Sequence, residues 1–498
     1  MKIGVLDLLT GEAKAGAAYP YELIYRRMFY GVMPQVVAAW CRRRGHEVHY
    51  ATYFGQRRPE RLLPDGLDFV FVSAFTEAAA LAYALAILFR QKGVRTVLGG
   101  PHARSFPNDA SRFFDVVVVS CDAAAIEDIL CGEYPPGAIV RSPGEALDIP
   151  PLAERHADVD RATLIAGRHW GFSVVPLLAS TGCPYACDFC VDWNNPYRVR
   201  APDELRADLR YAADAVPGRL LAFHDPNFGV RFDQVLGAFD GVAPERRNPY
   251  LVEATLSILK KHRLSRLAET HCVFVAPGVE SWTDYGAKAG TGQRTRHAKL
   301  EHVVAQFDDI AAYIPEVQAN FMFGNEADTG EEPIELTREF IRRRPRICPV
   351  VSYPMAYGGT LLRETLRREG RLLPLLAIYY FTPLPSLRAN HYPPEAFYEA
   401  LITLLRASVA PRIVGARLVA ARGAAMRVMH LLRALAIAAY VRELQTFLAL
   451  LRRDRSIAGF ADGTNTRLPA YFDHLLDARL GRYAELLAEP VRHQLSAD

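Results

Sequence analysis

The sequence predicts an α/β protein of three parts: a doubly wound, Rossmann-like domain, a partial (β/α)6 barrel, and a C-terminal helical domain. Two observations carry this prediction. Apolar runs of strand length alternate with helical patterns over about the first 370 residues, and such alternation is typical of parallel sheets covered by helices. Strand patterns then disappear after residue 392, whereas helical periodicity continues.

The doubly wound domain is predicted to span residues 1–145. We predict its strands at 2–6, 47–52, 69–73, 96–98 and 115–120, with helices between them. The run FVFVS at 69–73 is almost continuously apolar, as expected of a strand buried inside a parallel sheet. Proline- and glycine-containing sequence follows, and residues 146–172 are predicted to be a linker.

The barrel is predicted over residues 173–375 and the helical domain over residues 376–498. Six strand candidates lie at 174–178, 219–224, 251–254, 272–276, 317–323 and 347–355. The apolar stretch 432–451 is interrupted by Arg433, Arg442 and Glu443. We therefore expect an amphipathic or buried helix there, and no membrane span.

Composition points to an ordinary globular protein. Half of the 498 residues are hydrophobic, 23% are charged, and the net charge is +4. Basic clusters such as 342–344 are short and dispersed among acids, so no nucleic-acid partner is expected. The N-terminus lacks the pattern of a signal peptide, which predicts a cytoplasmic location.

Cys183, Cys187 and Cys190 form the most informative motif, a C-x3-C-x2-C segment that follows the first barrel strand. Iron–sulfur clusters are usually held by four thiolates, so three leave one iron open to another ligand. A zinc site would need a fourth ligand, typically in a second C-x2-C pair, and none follows. The other five cysteines are interpreted as small buried hydrophobes. They are Cys41, Cys121, Cys131, Cys272 and Cys348.

The cysteine segment resembles the cluster loop of the radical S-adenosylmethionine (SAM) superfamily. The resemblance implies that the three cysteines hold a 4Fe–4S cluster and that SAM chelates the fourth iron. An external donor such as flavodoxin or ferredoxin would then drive reductive cleavage of SAM to a 5′-deoxyadenosyl radical. Phe189 matches the family's aromatic position near the adenine; the alternative is a loop residue that packs inward.

Further matches lie at the ends of later barrel strands, where barrel enzymes gather their ligands. Gly278, Val279, Glu280 and Ser281 resemble the turn that holds SAM, and Asn320 begins a similar fifth-strand pattern.

Three further side chains are candidates for catalysis. Glu253 on the third strand is expected to face SAM or substrate, or else to form a salt bridge, because a lone buried acid is costly. Tyr353 and Tyr357 are candidates for the substrate pocket, with plain packing as the alternative.

The N-terminal part resembles the cobalamin-binding domain that precedes the barrel in many radical SAM enzymes. The matches are Ser73 at one strand end and Gly99, Gly100, Pro101 and His102 at the next. The D-x-H-x-x-G signature that supplies a histidine to cobalt is missing, so cobalamin is expected to bind without a histidine ligand.

Together these matches predict a radical SAM enzyme that acts on a small natural-product or lipid-pathway molecule, by cobalamin-dependent methyl transfer to an unactivated centre. The first alternative is a radical rearrangement or cyclisation without methylation. An alternative of another class is an iron–sulfur and SAM-binding regulator or an RNA-modifying protein.

Overall fold

Two parallel sheets and a group of C-terminal helices make up the computed structural model. It describes residues 1–12, 24, 26–55, 58–142, 148–165, 168–169, 173–283, 295–381, 383–488 and 492. The α/β architecture and the helical C-terminal region predicted from the sequence are confirmed.

The N-terminal sheet has six parallel strands in the order β2-β1-β3-β4-β5-β6. Its strands are β1 (Lys2–Leu8), β2 (Glu47–Tyr53), β3 (Phe69–Ala74), β4 (Arg95–Gly99), β5 (Val116–Ser120) and β6 (Ala138–Arg141). The strand order reverses between β1 and β3. In doubly wound sheets the ligand crevice lies at this switch point, beyond the carboxyl ends of the strands.

Among the described residues, five helices cover this sheet: α1 (Val32–Arg43), α2 (Ala79–Gln91), α3 (Gly100–Ser105), α4 (Pro107–Ala110) and α5 (Ala123–Cys131). Helix α2 is apolar on nearly all sides, and most of its side chains are buried. A helix of this kind needs neighbours on several faces. It packs in one core with the sheet and with C-terminal residues such as Phe447 and Leu480.

The segment predicted as a linker contains more structure than expected. It holds α6 (Leu152–Thr163) and a short antiparallel pair, β7 (Leu164–Ile165) and β8 (Arg168–His169). Arg42 of α1 donates two hydrogen bonds of 2.7 Å to the buried Asp158. The helix is thus fixed against the N-terminal part. The expected boundary at residue 145 lies outside the described residues.

The second sheet is the partial barrel. Its region contains β9 (Val174–Leu177), β10 (Ser180–Thr181), β11 (Arg198–Val199), β12 (Leu220–Phe223), β13 (Tyr250–Val252), β14 (Cys272–Val275), β15 (Gly278–Glu280), β16 (Glu316–Met322) and β17 (Cys348–Ser352). All its sheet pairings are parallel, whereas β10 and β11 form a separate hairpin. Strands β14 and β15 both pair with β16, so they act as two halves of one strand. Six strand positions follow in chain order, as the sequence predicts.

Helices alternate with these strands and then form the C-terminal region. Between the strands lie α7 (Pro202–Ala215), α8 (Phe232–Gly237), α9 (Lys261–Glu269), α10 (Arg296–Tyr313), α11 (Glu332–Arg343) and, after β17, α12 (Leu361–Arg368). The C-terminal helices are α13 (Pro394–Ser408), α14 (Pro411–Ala420), α15 (Ala424–Arg453), α16 (Arg455–Asp462) and α17 (Ala470–Leu480). A single helical pattern is predicted over residues 418–446, but Gly423, with φ +89°, separates α14 from α15.

Helix α15 is long and apolar enough to cross a membrane by length and composition alone. It has 30 residues, and its most apolar window has a mean hydropathy of 1.4 with 33% of that window buried. Core helices of globular proteins meet the same criteria, so one such helix does not establish a span.

Candidate functional site

A cavity of about 1570 Å³ lies between the two sheets. It is lined by the carboxyl ends of β1, β3, β4 and β5, by residues of β12, β13, β14 and β16, and by α15. Ligands of doubly wound sheets and of barrels both bind at the carboxyl ends of strands. The cavity reaches the cysteine loop at residues such as Thr181, Gly182 and Asp192, but the three cysteines are not among its lining residues. On β16 it meets the amino-terminal residues Glu316–Gln318.

Asp7, Ser73 and Gly99 form a row at the N-terminal wall of the cavity. They are register partners on β1, β3 and β4, and all three line the cavity. Gly31 donates a backbone hydrogen bond of 2.7 Å to Asp7, and Ser73 also hydrogen-bonds to this carboxylate. Burial raises the pKa of Asp7 to about 6. This wall is thus polar at its centre.

The two glycines at this wall differ in what they permit. Gly100 has φ +86°, and a Cβ there would lie 2.9 Å from the Ser73 hydroxyl oxygen. A Cβ on Gly99 would meet no described heavy atom within 4 Å, because the cavity lies beside it. Pro101 also lines the cavity. The backbone therefore leaves a concave surface that a large planar ligand can approach closely, which is the fit that cobalamin requires.

Replacement of Asp7 with asparagine is expected to stabilise the protein at pH 8 by about 3 kcal/mol. Because burial raises the pKa of Asp7 from 3.8 to about 6, the folded state holds this proton more tightly than the unfolded chain does. The stability from that proton is fully present below about pH 4 and is lost as the pH rises through 6. The gain from Asp7→Asn should thus vanish at pH 4.

Urea unfolding of both proteins between pH 4 and pH 8 measures this difference. Asp65→Asn is the control, since the Asp65 side chain is 95% exposed. An equal gain in the free energy of unfolding at pH 4 and pH 8 would contradict a raised pKa for Asp7.

The cysteine loop follows β9 at the same end of the second sheet. Cys183 and Cys187 are buried, and Cys190 is partly exposed. Gly182 precedes them with φ +67°, and a Cβ there would lie 2.3 Å from the Pro196 carbonyl oxygen. Only glycine fits this turn without displacing the backbone. The close turn brings Thr181 and Gly182 to the cavity wall.

Contacts with two other segments hold the loop in place. The Asp225 carboxylate accepts hydrogen bonds from the Ser180 hydroxyl at 2.5 Å and from the Ala179 backbone at 3.0 Å. Arg104 of α3 forms an ion pair of 2.7 Å with Asp192, which ties the loop to the N-terminal part. These contacts do not involve the thiols. Protein contacts thus contribute to the position of the loop, and the Asp192 backbone also donates a hydrogen bond of 3.4 Å to Cys190 Sγ.

The donor set fits an iron–sulfur cluster better than a single ion. Among the described residues, no three His, Cys, Asp or Glu side chains lie close enough together to hold one metal ion. Three thiols on one loop match, in number and in sequence spacing, the ligands of a four-iron cluster with one open position. Cys183, Cys187 and Cys190 would hold that cluster.

The candidate SAM turn begins in β15, beside β16. Gly278 pairs with Asn320 across these two strands. Glu280 adopts φ +62°, a conformation that is uncommon for a residue other than glycine and that often marks functional sites. Its carboxylate folds back over Gly278, where a Cβ would lie 2.1 Å from Oε1.

The neighbouring residues fix this turn. Ser281 donates a hydrogen bond of 3.1 Å to Asp328, whose pKa burial raises to about 6. Val279 is fully buried. None of residues 278–281 is among those that line the main cavity, but Ala276 and Gln318 on the adjoining strands are. The role of the turn in SAM binding remains a prediction.

The structure brings Glu253 and Tyr357 to the cavity and leaves Tyr353 elsewhere. Glu253 and Tyr357 line the cavity wall. Tyr353 packs its ring 6.0 Å from that of Phe397, next to the core shared with the C-terminal helices. Packing is thus the better interpretation of Tyr353.

Two other candidates also face away from the cavity. His102 is fully buried, with a hydrogen bond of 2.6 Å to Tyr83, and burial lowers its pKa to about 3. It stabilises the packing of α3 against α2. Phe189 packs on the small apolar cluster of Leu362 and Leu366, which matches the inward-packing alternative.

The segment 223–228, which contains His224, resembles the acidic segment that related enzymes carry at the end of the second barrel strand, but the sequence indicates no site role for the His224 side chain. It lines the cavity at the end of β12, and its buried Nε2 atom has no hydrogen-bond partner within the described part of the chain. Burial lowers the pKa of His224 to about 4, so it is neutral at physiological pH. An unsatisfied imidazole nitrogen at a cavity is suited to bind a polar group of a ligand.

The chain is similar to known proteins in sequence and in fold. No protein-family model matches the chain. Bacteriochlorophyllide d C-8(2)-methyltransferase of Chlorobaculum tepidum is 24% identical over 344 residues, which cover 65% of this chain and 73% of that enzyme.

Two solved structures match over most of the chain. The radical SAM methyltransferase TsrM of Kitasatospora setae, solved with cobalamin and a 4Fe–4S cluster, gives a TM-score of 0.55 at 14% identity, covering 89% of this chain and 100% of that one. The cobalamin-dependent radical SAM enzyme OxsB, solved with aqua-cobalamin, gives 0.55 at 11% identity, covering 99% and 81%. The resemblance carried by the cysteine loop is thereby confirmed, and the chain has the fold of the cobalamin-dependent radical SAM enzymes.

Proposed function

We propose that this chain is a cobalamin-dependent radical SAM methyltransferase that acts on a small molecule. The observation that carries the proposal is the single cavity shared by the cysteine loop and the carboxyl ends of the N-terminal sheet. A methyl group can pass between two cofactors and a substrate only if all three share one enclosed space. The matched methyltransferases support the same activity.

The parts of the chain divide this task. Residues 1–145 would hold cobalamin against Ser73, Gly99, Gly100 and Pro101, with no histidine of this part lining the cavity among the described residues. Residues 173–375 would hold the cluster through the three cysteines. When bound, the cluster and SAM supply radical chemistry, and cobalamin supplies methyl transfer.

The protein side chains would bind and orient the reactants. Glu280 and Ser281 of the turn at residues 278–281 would position SAM together with Asn320. Glu253 would orient the substrate from the cavity wall, and His224 would offer its Nε2 atom to a polar group. The enclosed walls would exclude water from the reacting atoms.

The reaction also requires an electron from outside the chain. We propose a low-potential donor such as flavodoxin or ferredoxin in the cytoplasm, which would approach the partly exposed Cys190 side of the loop.

The test uses anaerobic, reconstituted protein, SAM with an isotopically labelled methyl group, and a small-molecule extract of the source cells. We expect the label to appear in a product of the extract, together with 5′-deoxyadenosine, detected by mass spectrometry. Omission of cobalamin should abolish labelling. Binding of SAM without any cleavage would contradict the proposal that the chain is an enzyme, and it would favour a SAM-binding regulator.

A radical rearrangement or cyclisation is the second candidate. A cavity that holds a radical-generating cluster beside cobalamin would also serve a radical reaction that transfers no methyl group. Formation of 5′-deoxyadenosine and of an unlabelled product in the same experiment would favour this alternative.

A further inference from the structure

One segment of the C-terminal region carries charge of a single sign. Between Glu399 and Glu443 the sequence contains no acidic residue, whereas acids and bases are nearly balanced over the whole chain at 55 and 59. The same interval contains seven arginines: Arg406, Arg412, Arg417, Arg422, Arg427, Arg433 and Arg442. Such a segment attracts anionic surfaces.

The same segment exposes large apolar side chains. Val419 is 80% exposed, Val428 50%, Leu431 47% and Leu435 57%. They are four of the ten large hydrophobic residues that the described chain exposes. The spacing of Val428, Leu431 and Leu435 places them on one face of α15. Exposed apolar residues that cluster in this way mark interaction surfaces, whereas single scattered ones need no explanation.

The opposite face of α15 is bound to the protein. His430 lies 3.2 Å from Glu316, and Arg433 donates a hydrogen bond of 2.5 Å to Gln318. Met426 and Met429 line the cavity. The C-terminal half of the helix is anchored in the core through residues such as Phe447. The helix therefore lies along the protein surface and presents only its outer face.

The arginines nearest the apolar face are available to a partner. Arg412 and Arg427 are exposed and do not line the cavity, whereas Arg422 is exposed but also lines the cavity. No acidic side chain in the described ranges forms an ion pair with any of these three. Apolar residues on one face with arginines at its border are typical of helices that lie in the plane of a membrane interface.

We propose that residues 411–435 dock this chain on an anionic lipid bilayer. Val428, Leu431 and Leu435 would enter the boundary between headgroups and acyl chains, and the arginines would contact the anionic headgroups. A second copy of the chain fits less well, because a symmetric contact would bring the arginines together without any acid to pair with them. Docking does not depend on methyl transfer.

Docking would also place the cavity beside the membrane. Met426 and Met429 line the cavity from the inner face of the helix whose outer face would contact lipid. An apolar substrate dissolved in the bilayer would then have a short route to the cavity.

The experiment is co-sedimentation of the full chain, with its cluster reconstituted, with two kinds of vesicle. One kind is phosphatidylcholine, and the other is an equal mixture of phosphatidylcholine and phosphatidylglycerol. We expect binding to the mixed vesicles at about 0.1 M salt, with much weaker binding to phosphatidylcholine and at about 0.5 M salt, since salt screens the arginines.

Two double variants separate the contributions. Arg412→Gln with Arg427→Gln should weaken binding to mixed vesicles about 30-fold, because each basic residue near an anionic surface contributes about fivefold. Leu431→Gln with Leu435→Gln should weaken it at least as much. Ile139→Gln on β6 is the control, because Ile139 is also exposed, at 37%, but lies in the N-terminal sheet.

Two results would overturn the proposal. One is absence of binding to mixed vesicles by protein with an intact cluster and native circular dichroism. The other is a stable dimer in light scattering that Leu431→Gln with Leu435→Gln dissociates, since it would assign the apolar face to a second copy.

Discussion

Replacement of Cys183, Cys187 and Cys190 with alanine is expected to give a folded, colourless protein that cleaves no SAM. The wild-type chain, prepared without oxygen, should carry about four irons and be brown. The three thiols are the only described cysteines that share one loop at the end of β9, so no other set can replace them. Cleavage of SAM by the triple variant should fall below detection.

The fold should survive this change because other contacts position the loop. Asp225 holds Ser180 through the 2.5 Å hydrogen bond, and the Trp193 indole donates a bond of 2.7 Å to the Gly359 carbonyl oxygen. Iron analysis, visible absorption and circular dichroism measure the two effects separately. Cys121→Ala is the matched control, because Cys121 also lines the cavity. This variant should keep the iron of the wild-type protein. A triple variant that stays brown would refute the cluster assignment.

Local patterns were sufficient to predict the strand ends that build the site. Strands of a parallel sheet read as apolar runs, and the polar or glycine residues that follow them lie together at one edge. The strand ends at Ser73 and Gly99 follow from this pattern, whereas their proposed role follows from the resemblance to a cobalamin-binding domain. The structure places the two residues side by side in the register of β3 and β4. The cysteine loop was predicted from spacing alone, because its chemistry lies within eight residues.

Side-chain direction within a strand-end motif could not be predicted in this way. His102 follows Gly99, Gly100 and Pro101, but it lies in the first turn of α3, and the helical rotation turns it toward Tyr83. Whether a residue faces cavity or core depends on this rotation, which is set by packing rather than by spacing. Tyr353 and Tyr357 lie in the segment between β17 and α12, and packing directs one toward the C-terminal helices and the other toward the cavity.

Contacts between distant segments were also missed. Helix α15 lines the cavity through Met426 and Met429, and its contacts with Glu316 and Gln318 join residues more than a hundred positions apart. No local pattern indicates such a pairing. His224 was not predicted because the signal that identifies it, a buried nitrogen without a partner in the described chain, exists only in three dimensions.

Replacement of Gly99 with phenylalanine is expected to abolish cobalamin binding while the chain keeps its cluster. Gly99 has φ −129°, a value that any residue adopts, and a Cβ there would meet no described heavy atom within 4 Å. The backbone should therefore accept the new side chain. The ring would project into the cavity beside Ser73 and occupy the space that cobalamin needs. We expect binding to weaken about 100-fold or more, as overfilling a packed contact does.

Gly237→Phe is the matched control for this variant. Gly237 also has open space beside its Cα, but it ends α8 and is not among the cavity-lining residues. Visible absorption of bound hydroxocobalamin after gel filtration, together with iron content, gives the two readouts. Loss of cobalamin with full iron in Gly99→Phe alone would locate the cofactor at this wall. Full cobalamin content in Gly99→Phe would contradict that location, because a ring beside Ser73 and a corrin cannot occupy the same volume.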